Sequence, residues 1–172
     1  MKLSRQCLLQ ASAKSCYWWA IAGLCFVMFS GALFYQHVLN HMPCEICIYV
    51  RVWVLAIMLV ALTGLAVRHS RLGRFFFSLA GLMLTLGLAN DTWKLVVVEY
   101  NLGDGSGCAF KANFPAWAPL DSLAPFAFQV QDFCRATPIL FAGITMTHAL
   151  IAASAGLILA FLLGLIGTLA KR

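Results

Sequence analysis

Charged residues are scarce in this chain. They make up 10% of its 172 residues, whereas a typical soluble domain carries about 25%. Hydrophobic residues account for 62%, and the mean hydropathy is +0.87. A water-soluble globule could not cover so much apolar surface with polar groups. An intrinsically disordered chain would carry more charge and fewer aromatic residues. The scarcity of charge therefore excludes both classes and indicates a membrane protein.

The chain also lacks a basic run that would explain its net charge of +6 by nucleic-acid binding. Lys171 and Arg172 form the longest run of basic residues. Nucleic-acid-binding proteins usually concentrate Lys and Arg on one face or along one helix. We therefore expect no nucleic-acid partner, and we expect a lipid bilayer to explain where the positive charges lie.

Four stretches are long and apolar enough to cross the hydrocarbon core, which takes about 20 helical residues. They cover about residues 17–39, 48–67, 75–93 and 148–170. The first is too long for the apolar region of a cleavable signal peptide, so we expect it to be retained. The sequence predicts an all-α integral membrane protein, with residues 1–172 forming one four-helix bundle.

The basic residues set the orientation of these spans, because Lys and Arg accumulate on the cytoplasmic side. One side of the predicted bundle holds eight basic residues and no acidic residue: Lys2, Arg5, Lys14, Arg68, Arg71, Arg74, Lys171 and Arg172. All six acidic residues lie on the other side. We therefore expect both termini in the cytoplasm and two outer loops, at about residues 40–47 and 94–138, on the opposite side, which is the periplasm if the membrane is a bacterial inner membrane.

Four of the seven cysteines fall in the predicted outer loops, where an oxidising compartment lets disulfides persist. Cys44 and Cys47 form a C-x-x-C motif, and the small strained ring that such a pair closes favours redox cycling. The motif is also half of a zinc site. Because Cys108 and Cys134 are 26 residues apart and form no second close pair, we expect no metal. Permanent structural disulfides remain the other alternative.

Arg51 follows Cys47 by four residues, so on a helix it projects from the same face one turn deeper. A charge inside a span is costly and marks a functional site by default. A guanidinium there can stabilise a thiolate or the oxygen of a quinone that is being reduced. The alternative is that Arg51 extends to the outer headgroups.

The larger outer loop has a regular pattern after its Gly-rich stretch at residues 103–107. Phe114, Trp117, Leu120 and Leu123 recur every third residue. This spacing predicts a short helical segment in the membrane interface. A loop folded on a small core of its own is the alternative.

Several motifs in this order are similar to one known family. The first outer loop carries Tyr-Gln-His-Val at residues 35–38 and Pro-Cys-Glu-Ile-Cys-Ile-Tyr at residues 43–49, followed by Arg51. The second carries Cys-Ala-Phe at residues 108–110, Phe-Pro-Ala-Trp-Ala-Pro-Leu-Asp at residues 114–121, and Cys134. Together with the four spans, these motifs resemble the DsbB family of bacterial disulfide bond formation proteins.

The resemblance implies an electron relay in the bacterial inner membrane. Family members reoxidise the periplasmic dithiol protein DsbA and pass the electrons to a membrane quinone, either ubiquinone or menaquinone. If the roles of the family's cysteines apply to the matching positions of this chain, Cys108 would form the mixed disulfide with a DsbA-type protein. Cys134 would form a disulfide with Cys108. Cys44 would exchange with Cys134. Cys47 would face the quinone, with Arg51 beside it.

The sequence departs from the family near the expected quinone. Many members have a histidine where this chain has Leu95. Met146 lies in a segment that resembles the quinone side of the family, but the Pro and Trp that often follow it are absent. His148 is present instead, and we expect it to donate a hydrogen bond to a quinone carbonyl. Helical positions 146 and 148 are about 200° apart, so both cannot face one ring squarely. A histidine that faces headgroup water is the alternative.

Two other classes compete with a dithiol:quinone oxidoreductase. One is a non-enzymatic four-span scaffold with structural disulfides in its outer loops, and the other is a metal-binding or transport protein. Neither explains a C-x-x-C motif at the membrane interface together with Arg51. The sequence therefore favours the oxidoreductase.

Overall fold

The computed structural model describes residues 11–100, 102, 112–115, 118–132, 137, 139–141 and 143–169. Both chain ends lie outside these described residues, and so do the Gly-rich stretch, Cys108, Trp117 and Cys134. After a single 3-10 turn at Ala11–Ala13, the elements are α1 Ser15–His37, α2 Glu45–Val67, α3 Arg71–Glu99, α4 Leu120–Leu123, α5 Pro125–Phe128, β1 Ile139–Phe141, β2 Ile144–Thr145 and α6 Met146–Leu169.

Helices α1, α2, α3 and α6 are each long and apolar enough to cross a membrane. The predicted four-helix membrane architecture is thus confirmed. Helix α2 packs against α1 and α3, and α3 packs against α6. At one end of the bundle the Tyr17 hydroxyl donates to the Ala160 carbonyl oxygen at 2.9 Å, which ties α1 to α6. The opposite end, where α1 finishes and α2 begins, is called the outer end below.

Close packing in the bundle relies on glycines opposite aromatic rings. Gly81 of α3 faces the ring of Phe161, and Gly64 of α2 faces the ring of Trp18. A side chain at either glycine would collide with the ring. Small residues at helix contacts are the usual means of close approach in lipid, where no hydrophobic force drives helices together.

Helix α3 continues to Glu99, beyond the predicted span end near residue 93. The predicted span lies between Arg74 and Lys94, with Asp91 near its end. In the structure Asp91 points into the bundle, where it accepts hydrogen bonds from Trp53 Nε1 and Lys94 Nζ, both at 2.7 Å. Because these bonds satisfy the carboxylate inside the protein, the helix does not need to end there.

A two-stranded antiparallel hairpin of β1 and β2 leads directly into α6, which the all-α prediction did not include. Gly143 in its turn has φ +83°. This left-handed backbone conformation is open to glycine and costly for most other residues. The hairpin places the start of α6 at Met146.

The outer segment that contains α4 and α5 packs on α2. Ala127 and Phe128 are buried with Ala112 against Ile48. Helix α4 falls within the predicted helical segment, whereas Phe114 lies before it in residues without regular structure. Pro119 directly precedes α4, and a proline disfavours helical conformation in the residue before it. Among the described residues of this pattern, Leu120 and Leu123 are therefore helical and Phe114 is not.

Candidate functional site

Cys44 and Cys47 lie together at the outer end of α2. Cys44 is the N-cap residue, and its sulfur accepts a hydrogen bond from the Cys47 backbone N–H at 3.4 Å. Both are free thiols in this structure. Cys44 is buried, whereas Cys47 is half-buried. The hydrogen bond with the Cys47 thiol, together with burial, raises the pKa of Cys44. Cys44 is therefore the thiol of the pair that retains its proton.

Arg51 is buried one turn below Cys47, with 5% of its surface exposed. Its Nη1 donates to the Gln36 side-chain oxygen and to the Ala127 carbonyl oxygen, both at 2.6 Å. Its Nη2 donates to the Ala32 carbonyl oxygen at 3.3 Å. The structure thus shows Arg51 pointing into the protein and held by α1 and α5, and not extended toward headgroups.

The charge of Arg51 is not neutralised by a carboxylate within the described residues. The contacts of its guanidinium are neutral oxygens, and its buried Nε has no hydrogen-bond partner among the described residues. A buried cation without a counterion is expensive unless something else supplies negative charge. The site is therefore prepared for a ligand that carries, or develops, negative charge.

A cavity of about 320 Å³ lies beside Cys47 and Arg51. Its walls come from α1, α2, α3 and the start of α6, and they are mostly apolar. Its lining includes Tyr35, His41, Leu95, Thr137, Met146 and Leu150. Such a volume, with apolar walls and a few polar groups, is typical of small-ligand sites. The arrangement suits a flat apolar molecule with an oxygen directed at the guanidinium.

The structure separates Met146 and His148, as their helical spacing requires. Met146 lines the cavity, whereas His148 is exposed and is not among the lining residues. The His148 ring contacts the Thr145 hydroxyl through Nδ1 at 2.8 Å and the Tyr100 hydroxyl through Nε2 at 3.1 Å. The structure therefore does not bring His148 to the cavity that Cys47 and Arg51 share.

Leu95 lines the cavity and contributes an apolar wall at the position where many family members have a histidine. The sequence predicts no role for three polar residues of this region, Gln36, Glu99 and Thr137. Thr137 lines the cavity and contacts Glu99, and Gln36 holds Arg51. Only Gln36 carried a usable signal, since it is a polar residue inside an otherwise apolar predicted span.

Residues 126–132 of the larger outer loop are hydrogen-bonded to the end of α1 and to the residue before Cys44. The backbone N–H groups of Gln131 and Asp132 donate to the Pro43 carbonyl oxygen at 3.0 and 3.4 Å. Gln36 Nε2 and His37 Nε2 both contact the Phe126 carbonyl oxygen, at 3.2 and 3.0 Å. These contacts hold residues 126–132 against the last turn of α1 and against Pro43, the residue before Cys44.

Comparison with known proteins gives a consistent result. The family model for disulfide bond formation protein DsbB matches residues 14–164. The chain is 34% identical over 130 residues to "Disulfide bond formation protein B 2" of Pseudomonas aeruginosa, covering 74% of this chain and 76% of that protein. It is 30% identical over 167 residues to "Disulfide bond formation protein B" of Shewanella amazonensis, covering 96% and 98%. A Shewanella sp. MR-4 protein of the same name is 31% identical over 85% of this chain and 83% of its own.

Proposed function

This chain belongs to the DsbB family of disulfide bond formation proteins, and from that membership we propose that it transfers electrons from a soluble dithiol protein to a membrane quinone. The family makes the chain a disulfide-forming oxidoreductase of the membrane. The proposal adds the donor, a periplasmic DsbA-type thiol oxidase, and the acceptor, the quinone pool of the bacterial inner membrane. It also places both termini in the cytoplasm, on the positively charged side of the bundle.

One observation carries the proposal: Cys47 and Arg51 line the same mostly apolar cavity inside the bundle. A soluble oxidant would not need an apolar cavity at this depth. A lipid-soluble acceptor would, because its ring must reach the sulfur from the membrane. The cavity thus supports a quinone as the acceptor.

The lining residues fit a quinone ring. Met146, Leu95 and Leu150 offer apolar contact, and Arg51 offers a charged hydrogen-bond donor to one ring oxygen. When bound, a quinone supplies a two-electron acceptor that also takes up two protons. Arg51 stabilises negative charge as it develops on that oxygen or on the Cys47 sulfur, and its neutral partners leave this charge available.

We propose that electrons reach Cys47 by exchange between the two outer loops. A thiolate of the partner attacks Cys108 of a Cys108–Cys134 disulfide and releases Cys134. Cys134 then attacks Cys44 of a Cys44–Cys47 disulfide and releases Cys47. The second thiol of the partner attacks the partner sulfur of the mixed disulfide and releases Cys108 and the oxidised partner. Cys108 attacks Cys134, which re-forms the Cys108–Cys134 disulfide and releases Cys44. Cys44 and Cys47 then re-form their own disulfide as their two electrons and two protons pass to the quinone. In the net reaction the partner dithiol loses two electrons and two protons, and the quinone gains both.

The contacts of Pro43 support the step between Cys134 and Cys44. Cys134 lies outside the described residues, but it follows Asp132 by two positions in the chain. An extended chain covers at most about 3.6 Å per residue. Because Asp132 and Gln131 hydrogen-bond to Pro43, the neighbour of Cys44, the chain length alone is sufficient for Cys134 to reach this region.

The direct test uses the purified protein, a reduced DsbA-type protein and a short-chain soluble quinone. We expect partner thiols to disappear in a one-to-one ratio of disulfide to quinol. Cys47→Ala should abolish quinol formation. Arg51→Ala should raise the KM for quinone by about 10- to 100-fold, which is the loss expected for one charged hydrogen bond, and Arg51→Lys should restore part of it.

A second variant assigns the partner cysteine. In Cys134→Ala, Cys108 is a free thiol, and its thiolate can attack the disulfide of the oxidised partner protein, which releases one partner thiol. The resulting mixed disulfide through Cys108 lacks Cys134 as its resolving thiol and should accumulate. Recovery of the trapped partner on Cys44 would contradict this assignment. Unchanged partner thiols in the wild-type protein would contradict the oxidoreductase and favour a structural scaffold.

A further inference from the structure

A string of polar side chains begins at the cavity wall. Thr137 lines the cavity, and its hydroxyl donates to Glu99 Oε2 at 2.9 Å. The hydroxyl of Thr147, which is fully buried, lies 3.0 Å from that of Thr137. A carboxylate and two hydroxyls therefore stand at the outer end of an otherwise apolar wall.

The string continues from Glu99 to the protein surface. The side chain of Thr145 lies beside the Glu99 carboxylate, and its hydroxyl contacts Nδ1 of His148 at 2.8 Å. Nε2 of His148 contacts the Tyr100 hydroxyl at 3.1 Å, and both His148 and Tyr100 are exposed. Hydrogen-bonding groups thus connect the cavity with water at the outer end.

The chemistry of the string suits proton transfer. Glutamate and histidine are the side chains that most often carry protons through membrane proteins, and hydroxyls can bridge them. Arg51 is unsuited to this task because it does not release a proton in proteins. Two other titratable side chains on the cavity lining, Tyr35 and His41, belong to the end of α1 and to the loop that follows it.

We propose that Glu99 and His148 relay protons between the outer surface and the cavity wall at Thr137. This inference rests on the proposed function, because the reduction of a quinone consumes two protons in the cavity. Oxidation of the partner dithiol releases two protons at the same outer side. Proton uptake through Glu99 therefore balances that release, and no net proton crosses the membrane.

The test uses vesicles that contain the protein, a short-chain quinone and a pH-sensitive dye in the lumen. Reduced partner protein is added outside, so that it reaches only molecules whose outer end faces outward. For the wild-type protein we expect quinol to form with no change of the internal pH. A rise of the internal pH would show that protons come from the other side, and it would overturn the relay.

Glu99→Gln is the central variant. Its amide oxygen can still accept the hydrogen bond from the Thr137 hydroxyl, but the side chain cannot take up and release a proton. We expect quinol formation to slow by about tenfold or more, as for the loss of a positioned acid or base. The rate of mixed-disulfide formation with the partner and the thermal stability should not change. Asp121→Asn removes another outer carboxylate outside the string, and it should behave as the wild type.

An infrared difference spectrum gives a readout that is independent of turnover. When the wild-type protein is reduced by the partner, we expect a change in the carbonyl band of a protonated carboxyl group. This change should be absent in Glu99→Gln and present in Asp121→Asn. The same band change in Glu99→Gln would overturn the assignment to Glu99.

His148 variants separate a relay from direct contact with the quinone. In a relay, His148→Gln should be as slow as His148→Ala, and added imidazole should accelerate His148→Ala. If His148 donated a hydrogen bond to quinone, Gln would be better tolerated than Ala. That result would overturn the role of His148.

The outcomes also distinguish this inference from the proposed function. No quinol formation by the wild-type protein would contradict the proposed function and the relay together. Normal quinol formation by both wild type and Glu99→Gln would contradict the relay alone. A selective loss in His41→Asn, with wild-type behaviour of Glu99→Gln, would overturn the proposal and assign proton entry to the cavity side formed by α1.

Discussion

The side-chain oxygen of Gln36 lies 2.6 Å from Nη1 of Arg51, inside the bundle. Gln36 belongs to the last turn of α1, and 6% of its surface is exposed. Its amide nitrogen donates in turn to the Phe126 carbonyl oxygen at 3.2 Å. An amide positions the guanidinium without cancelling its charge, whereas a carboxylate in the same place would form an ion pair. Gln36 therefore holds Arg51 in place and leaves its positive charge for the cavity.

Gln36→Glu tests this relationship, because it replaces a neutral acceptor by a charged one of the same shape. The new carboxylate should pair with Arg51 and compete with negative charge on the ligand. We expect the KM for quinone to rise by about 10- to 100-fold, in keeping with the energy of a hydrogen bond to a charged group. Thiol exchange with the partner should stay near the wild-type rate. Gln36→Ala, which leaves the charge of Arg51 unpaired, should have the smaller effect on KM.

The sequence predicts the four helices because each is a long apolar run, and it predicts the proximity of Cys47 and Arg51 because four residues make one helical turn. It could not predict that Asp91 lies inside the bundle, since this depends on Trp53 from another helix. The contact between Glu99 and Thr137 joins residues 38 positions apart, and no local pattern encodes it. The expected hydrogen bond between His148 and a quinone depends only on how far along the helix His148 lies. The direction in which its side chain points decides what it contacts, and that direction is not read from the span.

The two thiols of the C-x-x-C motif should differ in reactivity toward an alkylating reagent. Alkylation requires the thiolate, and the raised pKa of Cys44 lowers its thiolate fraction at neutral pH. We expect the reduced protein to be modified first at Cys47, with Cys44 labelled slowly. Labelling of Cys44 should accelerate as the pH rises above the ordinary range of a thiol. Peptide mass spectrometry of samples quenched over time would show the order, and faster labelling of Cys44 at neutral pH would contradict it.

Packing between α3 and α6 should be sensitive to one methyl group at Gly81. A Cβ there would collide with the Phe161 ring, so Gly81→Ala should destabilise the protein by about 1–3 kcal/mol, as overpacking does. Gly156 of α6 has open space around it, and Gly156→Ala is the matched control. Its expected effect is neutral or slightly stabilising because alanine favours the helix. Unfolding in detergent measures both variants, and Phe161→Leu should relieve the defect of Gly81→Ala. Equal stability of the two alanine variants would contradict the close contact.

The hydrogen bond from the Gln131 backbone to Pro43 should control exchange between the outer loops. Gln131→Pro removes this N–H group, whereas Gln131→Ala keeps it and serves as the control. If the bond holds the chain before Cys134 near Cys44, the proline variant should transfer electrons from the loop of Cys134 to Cys44 several-fold more slowly. Its KM for quinone should equal that of Gln131→Ala, because both variants lose the side chain whose oxygen lies 3.5 Å from Gln36 Nε2, and they differ in the backbone N–H group. Stopped-flow mixing with reduced partner, followed by acid quenching and thiol mapping, separates the steps. Slow transfer in both variants would assign the effect to the Gln131 side chain, and wild-type transfer in the proline variant would show that this contact does not limit exchange.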